Sequence, residues 1–261
     1  MTNYDRSTLT AIAHASYAQL ERVAEGVDRD DGDISNKLIC LRRQVPGASC
    51  ATVLSRFVAE ELIKAQAFSD LREKRKFLRL FTAIPQMGAA RGWLFEAYMH
   101  NRFSSPSDTP GGITVYTLDP VLGAAGKYRP NLHSETAGPP FPLVDRSVRV
   151  YNSPGDFLAN PPTAEYHIPS AKNNPGFDSI MITGTAVYIF QMTVSRSHAA
   201  DTDNQRALHL LKQILPRNVP WHYVLVVPHI TDTTDIGSTT LTSVNKDWVD
   251  AVVSFLLLVL R

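Results

Sequence analysis

The sequence predicts an α/β fold in which a central mixed sheet is flanked by helices. Three segments carry this prediction: a β-hairpin within 176–198, a helix over 204–215 that ends before Pro216, and the apolar run WHYVLVVPH at 221–229. A strand that is apolar along its whole length is typical of burial on both faces. A hairpin followed by a helix and a further strand, with a right-handed crossover, completes a mixed sheet with a helix on its face.

Composition indicates a globular protein with a sizeable core, because 44% of the 261 residues are hydrophobic and only 20% are charged. Lys and Arg number 26 against 25 Asp and Glu, so global charge argues neither for nor against a nucleic-acid partner. Cys40 and Cys50 are too few for a disulfide framework or a zinc site. The N-terminus has no apolar signal-peptide core, and the apolar stretch 251–260 is too short to span a bilayer, so we expect no membrane partner and a buried terminal strand or helix.

Helical spacing predicts an N-terminal helical region over 1–84, packed on the core, with helices at 7–27 and 52–82. A third helix is predicted over 88–103, with an apolar stripe through Trp93, Leu94, Tyr98 and Phe103, and it carries Glu96. Prolines crowd residues 104–175. They predict an insertion of short strands, at 113–118 and 146–151, within a domain of residues 85–261.

The second strand of the hairpin becomes polar on one face. Val187, Ile189, Gln191 and Thr193 share that face, which predicts a strand that leaves the core and enters a cleft. A two-residue loop at Gly184-Thr185, with Gly184 at positive φ, would place Asp178 opposite Gln191. Carboxylate and amide oxygens suit a hard divalent cation, although an Asp at such a position more often just ends a strand or caps a turn.

The helical segment LREKRKFLRLF at 71–81 sets four cations on one side: Arg72, Arg75, Lys76 and Arg79. A charge run of this kind is usually a solvated helix face. It is also the local basic patch that contact with nucleic-acid phosphates requires.

The order of Glu96 on a helix, Asp178 on one strand and Gln191 on the next resembles the restriction-endonuclease-like PD-(D/E)xK nuclease superfamily. More narrowly, the segments GWLFEAYMH, YHIPSAKNNPGFDSI, YIFQMTVSRSH and WHYVLVVP resemble the C-terminal domain of Crinkler effectors and retrotransposon-hot-spot proteins. The resemblance covers about residues 77–229. It implies an αβββαβ restriction-endonuclease-like core.

The resemblance also implies a DNA endonuclease that depends on Mg²⁺ or Mn²⁺. It further implies action in a nucleus, either that of the cell that makes the protein or that of a host cell. Glu96, Asp178 and the Met192 carbonyl would hold the cation, and Gln191 would position a water molecule. Thr193 stands where the superfamily places its catalytic Lys, so Lys172 is the nearest basic substitute. The basic helix face would contact double-stranded DNA. His198 matches a histidine of the subgroup and would join that contact, although a lone His is more often a hydrogen-bonded structural residue.

Two departures from the superfamily pattern leave a second hypothesis open. Gln in place of a carboxylate removes a unit charge, which at ~4 Å and an effective dielectric of ~20 is on the order of 4 kcal/mol of attraction before desolvation. Thr in place of Lys removes a charged donor to the developing phosphorane. The alternative is a catalytically degenerate nuclease fold that binds DNA or a host protein.

Overall fold

The computed structural model describes residues 10–12, 39–45, 48–53, 58, 61, 88–104, 113–122, 128–132, 146–152, 156, 165–170, 176–194, 198–199, 202–228, 241–243 and 246–260. The chain divides into two compact units, residues 1–101 and 102–261. The described helices are α1 (Gly88–Ser104), α2 (Thr202–Ile214) and α3 (Lys246–Ala251). The described strands are β1 (Ile39–Val45), β2 (Ala48–Val53), β3 (Ile113–Leu122), β4 (Tyr128–Leu132), β5 (Val148–Tyr151), β6 (Tyr166–Pro169), β7 (Ser179–Ile182), β8 (Val187–Met192), β9 (His198–Ala199), β10 (Trp221–Val227), β11 (Leu241–Ser243) and β12 (Ser254–Leu260).

β1 and β2 form an antiparallel hairpin in the N-terminal unit, where the sequence pattern predicts only helices. Cys40 pairs with Thr52 and Arg42 with Cys50, so the two cysteines do not lie opposite each other. A helix that starts at residue 52 is therefore wrong at its first residues, because 52 and 53 end β2. Of the helix predicted over 7–27, the described part is residues 10–12, which are helical.

α1 confirms the helix predicted over 88–103. Its buried apolar side chains are Leu94, Phe95, Tyr98, Met99 and Phe103, which recur at the helical spacing of three and four residues. Trp93, which the predicted stripe includes, is only half-buried. Within the described residues, no helix is long and apolar enough to cross a membrane.

The C-terminal unit contains an eight-stranded sheet with the strand order β4-β3-β12-β10-β8-β7-β6-β5. β10 is parallel to both β8 and β12, and β5 is parallel to β6, whereas the remaining neighbours are antiparallel. The predicted α/β class with a mixed sheet is therefore confirmed. β3, β4, β5 and β6 all belong to this sheet, so the main sheet runs through the Pro-rich segment. β9 and β11 form a separate parallel pair.

The middle of the sheet consists of strands that are buried on both faces. β10 lies between β8 and β12, and six of its seven residues are buried, which confirms the interpretation of the run at 221–229. The strand at the C-terminal end, β12, is also buried, as the apolar stretch 251–260 predicts. α2 connects β8 to β10 and α3 precedes β12, so helices form the connections between the parallel strands.

The two faces of β8 pack against different partners. Val187 and Ile189 belong to a core cluster with Leu208 and Leu211 of α2. Phe190, on the other face, stacks on Phe103 with ring centroids 4.6 Å apart. Tyr166 completes an aromatic group there, with its ring 6.1 Å from that of Phe190. This packing explains why both faces of β8 are apolar in its first half.

The β7–β8 hairpin turns at Gly184-Thr185 as predicted, with Ile182 opposite Val187 and Ser179 opposite Phe190. The prediction that Gly184 adopts positive φ is wrong. Among the described glycines only Gly176 lies in the left-handed region, with φ of 88°. The turn is closed instead by Thr183, whose Oγ1 accepts the Ala186 N–H at 2.9 Å.

These two glycines predict opposite stability effects for the same substitution. Gly176→Ala should lower the free energy of unfolding by about 1–2 kcal/mol, because a side chain is strained at this φ. Gly184→Ala should raise it by about 0.4–1 kcal/mol, since a Cβ at Gly184 meets open space and the unfolded chain loses entropy. Urea unfolding monitored by circular dichroism measures both. Equal shifts in the two variants would contradict this assignment.

Candidate functional site

Asp178 precedes β7 at a local irregularity in the hairpin. Its backbone N–H donates to the Phe190 carbonyl at 2.7 Å, although the residue that pairs with Phe190 in the ladder is Ser179. Two consecutive residues thus face one residue of β8, which is the pattern of a β-bulge. Bulges redirect side chains, and here the Asp178 side chain is directed towards the end of β8.

The Asp178 carboxylate joins the two strands at this end. Its Oδ2 accepts the side-chain amide of Gln191 at 2.9 Å and the backbone N–H of Met192 at 2.6 Å. The prediction that Asp178 and Gln191 lie together is therefore confirmed. The contact is made by side chains, since the backbone ladder already ends at Ser179.

Gln191 and Thr193 are buried, with only 6% and 8% of their surfaces exposed. The expectation that β8 enters a cleft at Gln191 stays a prediction, because residues with this little exposure can still line a cleft. A buried polar group needs a partner, and the Gln191 amide has one for Nε2 only. Its Oε1 makes no hydrogen bond to any described residue. An unpaired buried carbonyl oxygen is unusual in a native fold. It would share a cation with Asp178 only after the amide rotates, because Nε2 is the atom that faces Asp178.

The backbone at the end of β8 also contributes polar groups. The Thr193 N–H donates to the Val226 carbonyl at 2.9 Å, so the backbone groups of Thr193 face β10. Groups of adjacent residues alternate in direction along a strand, which turns the Met192 N–H and carbonyl towards the β7 side, where Asp178 lies. Pro228 has no N–H, so the β8–β10 ladder cannot continue past this point.

Tyr223 of β10 supports the turn that carries Asp178. Its hydroxyl, which is buried, donates to the Gly176 carbonyl at 3.0 Å. Burial, and secondarily the negative charge of Asp178, raise the pKa of Tyr223 above its usual range. The hydroxyl therefore remains protonated and keeps its role as a donor. Tyr223 and Gly176 were not among the predicted site residues, although the Gly-Phe-Asp sequence marks the turn.

Glu96 lies on α1 in the N-terminal unit and is partly buried. Its Oε1 lies 3.4 Å from Nε2 of His100, one helical turn later. This i, i+4 contact satisfies part of the carboxylate within its own helix. The assignment of Glu96 to the same site as Asp178 stays a prediction.

The other predicted site residues are only partly described. Lys172 and the basic helix face formed by Arg72, Arg75, Lys76 and Arg79 lie outside the described residues. The backbone of His198 begins β9, where its partner is Leu241 of β11. The roles assigned to these residues therefore stay predictions.

The oxygen atoms at this site are the type of ligand that a hard cation prefers, but they carry little negative charge. Within the described part of the chain, no group of three His, Cys, Asp or Glu side chains could hold a metal ion. Asp178, the Gln191 Oε1 atom and the Met192 carbonyl are nevertheless all oxygen donors, which Mg²⁺ and Mn²⁺ prefer. One carboxylate and two neutral oxygens predict weak binding. Comparisons with protein-family models, curated proteins and solved structures found no match to this chain.

The hydrogen bonds to Asp178 predict that two substitutions at this position differ in stability. Asp178→Ala leaves the Met192 N–H and the Gln191 amide without their acceptor, and should lower the free energy of unfolding by about 2–4 kcal/mol. Asp178→Asn keeps one oxygen acceptor and should cost less than about 1.5 kcal/mol. Urea unfolding of both variants tests this difference. Equal stability would mean that the carboxylate does not hold the hairpin together.

Proposed function

We propose that the chain is a divalent-metal-dependent DNA endonuclease of the restriction-endonuclease-like type. The observation that carries the proposal is the Asp178–Gln191 pair at the end of β7 and β8, with a buried amide oxygen that has no hydrogen-bond partner among the described residues. The resemblance to the nuclease domain of Crinkler effectors and retrotransposon-hot-spot proteins adds support. It also suggests a nuclear site of action.

In this proposal, Asp178, the Gln191 Oε1 atom, the Met192 carbonyl and Glu96 would hold Mg²⁺ or Mn²⁺. A bound ion of this kind polarises a phosphoryl oxygen and lowers the pKa of water, which is the chemistry that phosphodiester hydrolysis needs. The buried position of Gln191 limits water around the pair and strengthens its electrostatic interactions.

The chain's own residues would orient the groups that react. Gly176 and Tyr223 fix the turn before Asp178, so the carboxylate holds its direction without a ligand. Gln191 would position the attacking water through its amide. Thr193 has a neutral hydroxyl, so Lys172 or the basic helix face would stabilise the charge that develops on the phosphate. Contacts to the phosphate backbone of DNA carry no sequence information, so little sequence preference is expected.

Plasmid cleavage tests the proposal directly. Purified protein should nick and linearise plasmid DNA with Mg²⁺ or Mn²⁺, and Asp178→Asn should reduce the rate by roughly a hundredfold or more, because it removes the charge that binds the cation. Gly184→Ala serves as a matched control, since it changes the exposed turn of the same hairpin. The proposal fails if the folded wild-type protein does not cleave, or if Asp178→Asn cleaves at the wild-type rate.

A second candidate is a nuclease fold that no longer cleaves and instead binds DNA or a host protein. The observation that favours it is the hydrogen bond from Gln191 Nε2 to Asp178, which satisfies the carboxylate without a cation. A structural pair of this kind would be retained for stability alone. The two candidates differ in how the pair responds to added charge.

Gln191→Glu places a second carboxylate beside Asp178 and distinguishes the two candidates. If the site accepts a cation, this variant should be less stable than the wild type without metal and should bind Mn²⁺ roughly ten- to a hundredfold more tightly. Thermal unfolding across a Mn²⁺ titration gives both quantities. The double variant Asp178→Asn/Gln191→Glu is the control and should lose the gain. Equal Mn²⁺ responses of wild type and Gln191→Glu would support the binding module.

A further inference from the structure

A second region of the C-terminal unit has the features of a ligand pocket. It is a surface pocket of about 590 Å³, open to solvent, at the amino ends of β10 and β12, beside the C-terminus of α2. Its walls include Lys212, Arg217, Val219, Trp221, Ala251 and Val253. The volume lies in the range of small-molecule sites. Such sites also combine apolar walls with a few polar groups, as this pocket does.

The pocket lining includes two cationic side chains, Lys212 and Arg217. Arg217 donates from Nε and Nη2 to the Lys212 carbonyl, at 3.1 and 2.8 Å, and so caps the end of α2. These bonds hold the guanidinium in place and leave its third nitrogen, Nη1, without a hydrogen bond within the described residues. The Lys212 ammonium has no ion-pair partner there either, and no described Asp or Glu lines the pocket.

The lining also has an apolar part, which backbone hydrogen bonds hold in place. Val253 is 72% exposed, which is unusual for a large aliphatic side chain, and its N–H donates to the Trp221 carbonyl at 2.8 Å. The Trp221 indole donates to the Pro216 carbonyl at 2.8 Å, so the one polar atom of the ring is satisfied within the protein. Trp221 is buried, with 6% of its surface exposed, so Val253 supplies most of the apolar surface that a ligand would contact.

We infer that this pocket binds a small amphipathic anion, that is, an apolar body carrying one carboxylate or other acidic group. The acidic group would contact Lys212 and Nη1 of Arg217, and the apolar body would cover Val253. A neutral ligand would leave the two cations unused, and a simple inorganic anion would leave Val253 exposed. This binding site is separate from the Asp178–Gln191 pair and does not depend on the proposed nuclease activity.

Calorimetric titration with defined probes tests the inference. Dodecanoate and naphthalene-1-carboxylate represent acyl and aromatic sources of the same chemistry, and dodecanol is the neutral counterpart. We expect saturable binding of at least one of the two acids, and binding of dodecanol roughly tenfold weaker or absent. Comparison of the affinities for dodecanoate and naphthalene-1-carboxylate shows whether the pocket prefers an acyl chain or an aromatic ring.

Variants locate the binding. Lys212→Gln should weaken binding of the acid by roughly three- to tenfold, and Val253→Asp by more than about tenfold, since it adds a negative charge to the apolar wall. Val150→Asp makes the same change at an exposed valine of β5 outside the pocket and should leave binding unchanged. The inference is overturned if neither acid binds, if dodecanol binds as tightly, or if Lys212→Gln has no effect. Thermal unfolding of Val253→Asp checks that the variant is folded.

Discussion

The hydrogen bond from the Met192 N–H to the Asp178 carboxylate holds the end of the β7–β8 hairpin together. The bulge ends the backbone ladder one residue early, and without this bond the Met192 amide would be buried without its acceptor. A side-chain oxygen thus replaces a missing carbonyl of β7. The same carboxylate accepts the Gln191 amide, so one residue both closes the hairpin and forms the candidate site.

A residue of the central strand β10 supports the turn that precedes Asp178. β10 is hydrogen-bonded on both edges by parallel neighbours and is buried on both faces, so Tyr223 lies on a strand at the centre of the core. The hydrogen bond from its hydroxyl to the Gly176 carbonyl ties the turn before Asp178 to this strand. Phe190 is anchored on the other face by Phe103 and Tyr166. The pair therefore stands on a preorganised framework, which a loop alone would not provide.

The sequence predicts the central sheet well because burial leaves clear periodic patterns. The strands β8 and β10, the helix α2 and the contact between Asp178 and Gln191 all follow from apolar periodicity and from turn position. For β12 the pattern predicts burial but leaves strand and helix open. The β1–β2 hairpin follows from no such pattern, although Pro46-Gly47 between the strands is a turn signal. Gly184 and Gly176 show a different limit: composition marks both as turn residues, but only the backbone shows which one needs positive φ. The support from Tyr223 depends on a contact between residues 47 positions apart, which no local pattern contains.

The orientation of the Gln191 amide decides what the site can bind. Its Nε2 atom donates a hydrogen bond to a carboxylate, whereas only its Oε1 atom can bind a cation. With Nε2 towards Asp178, the carboxylate keeps its negative charge but has a hydrogen-bond donor and needs no ion. A cation shared with Asp178 requires Oε1 on that side instead, so the amide must rotate and give up a bond worth about 1 kcal/mol net. Coulomb attraction between a divalent cation and one carboxylate exceeds this amount several-fold even in a partly screened site, although dehydration of the ion opposes it. Hydrogen bonding by the amide therefore reduces metal affinity without closing the site, and the missing second carboxylate is the larger restraint on binding.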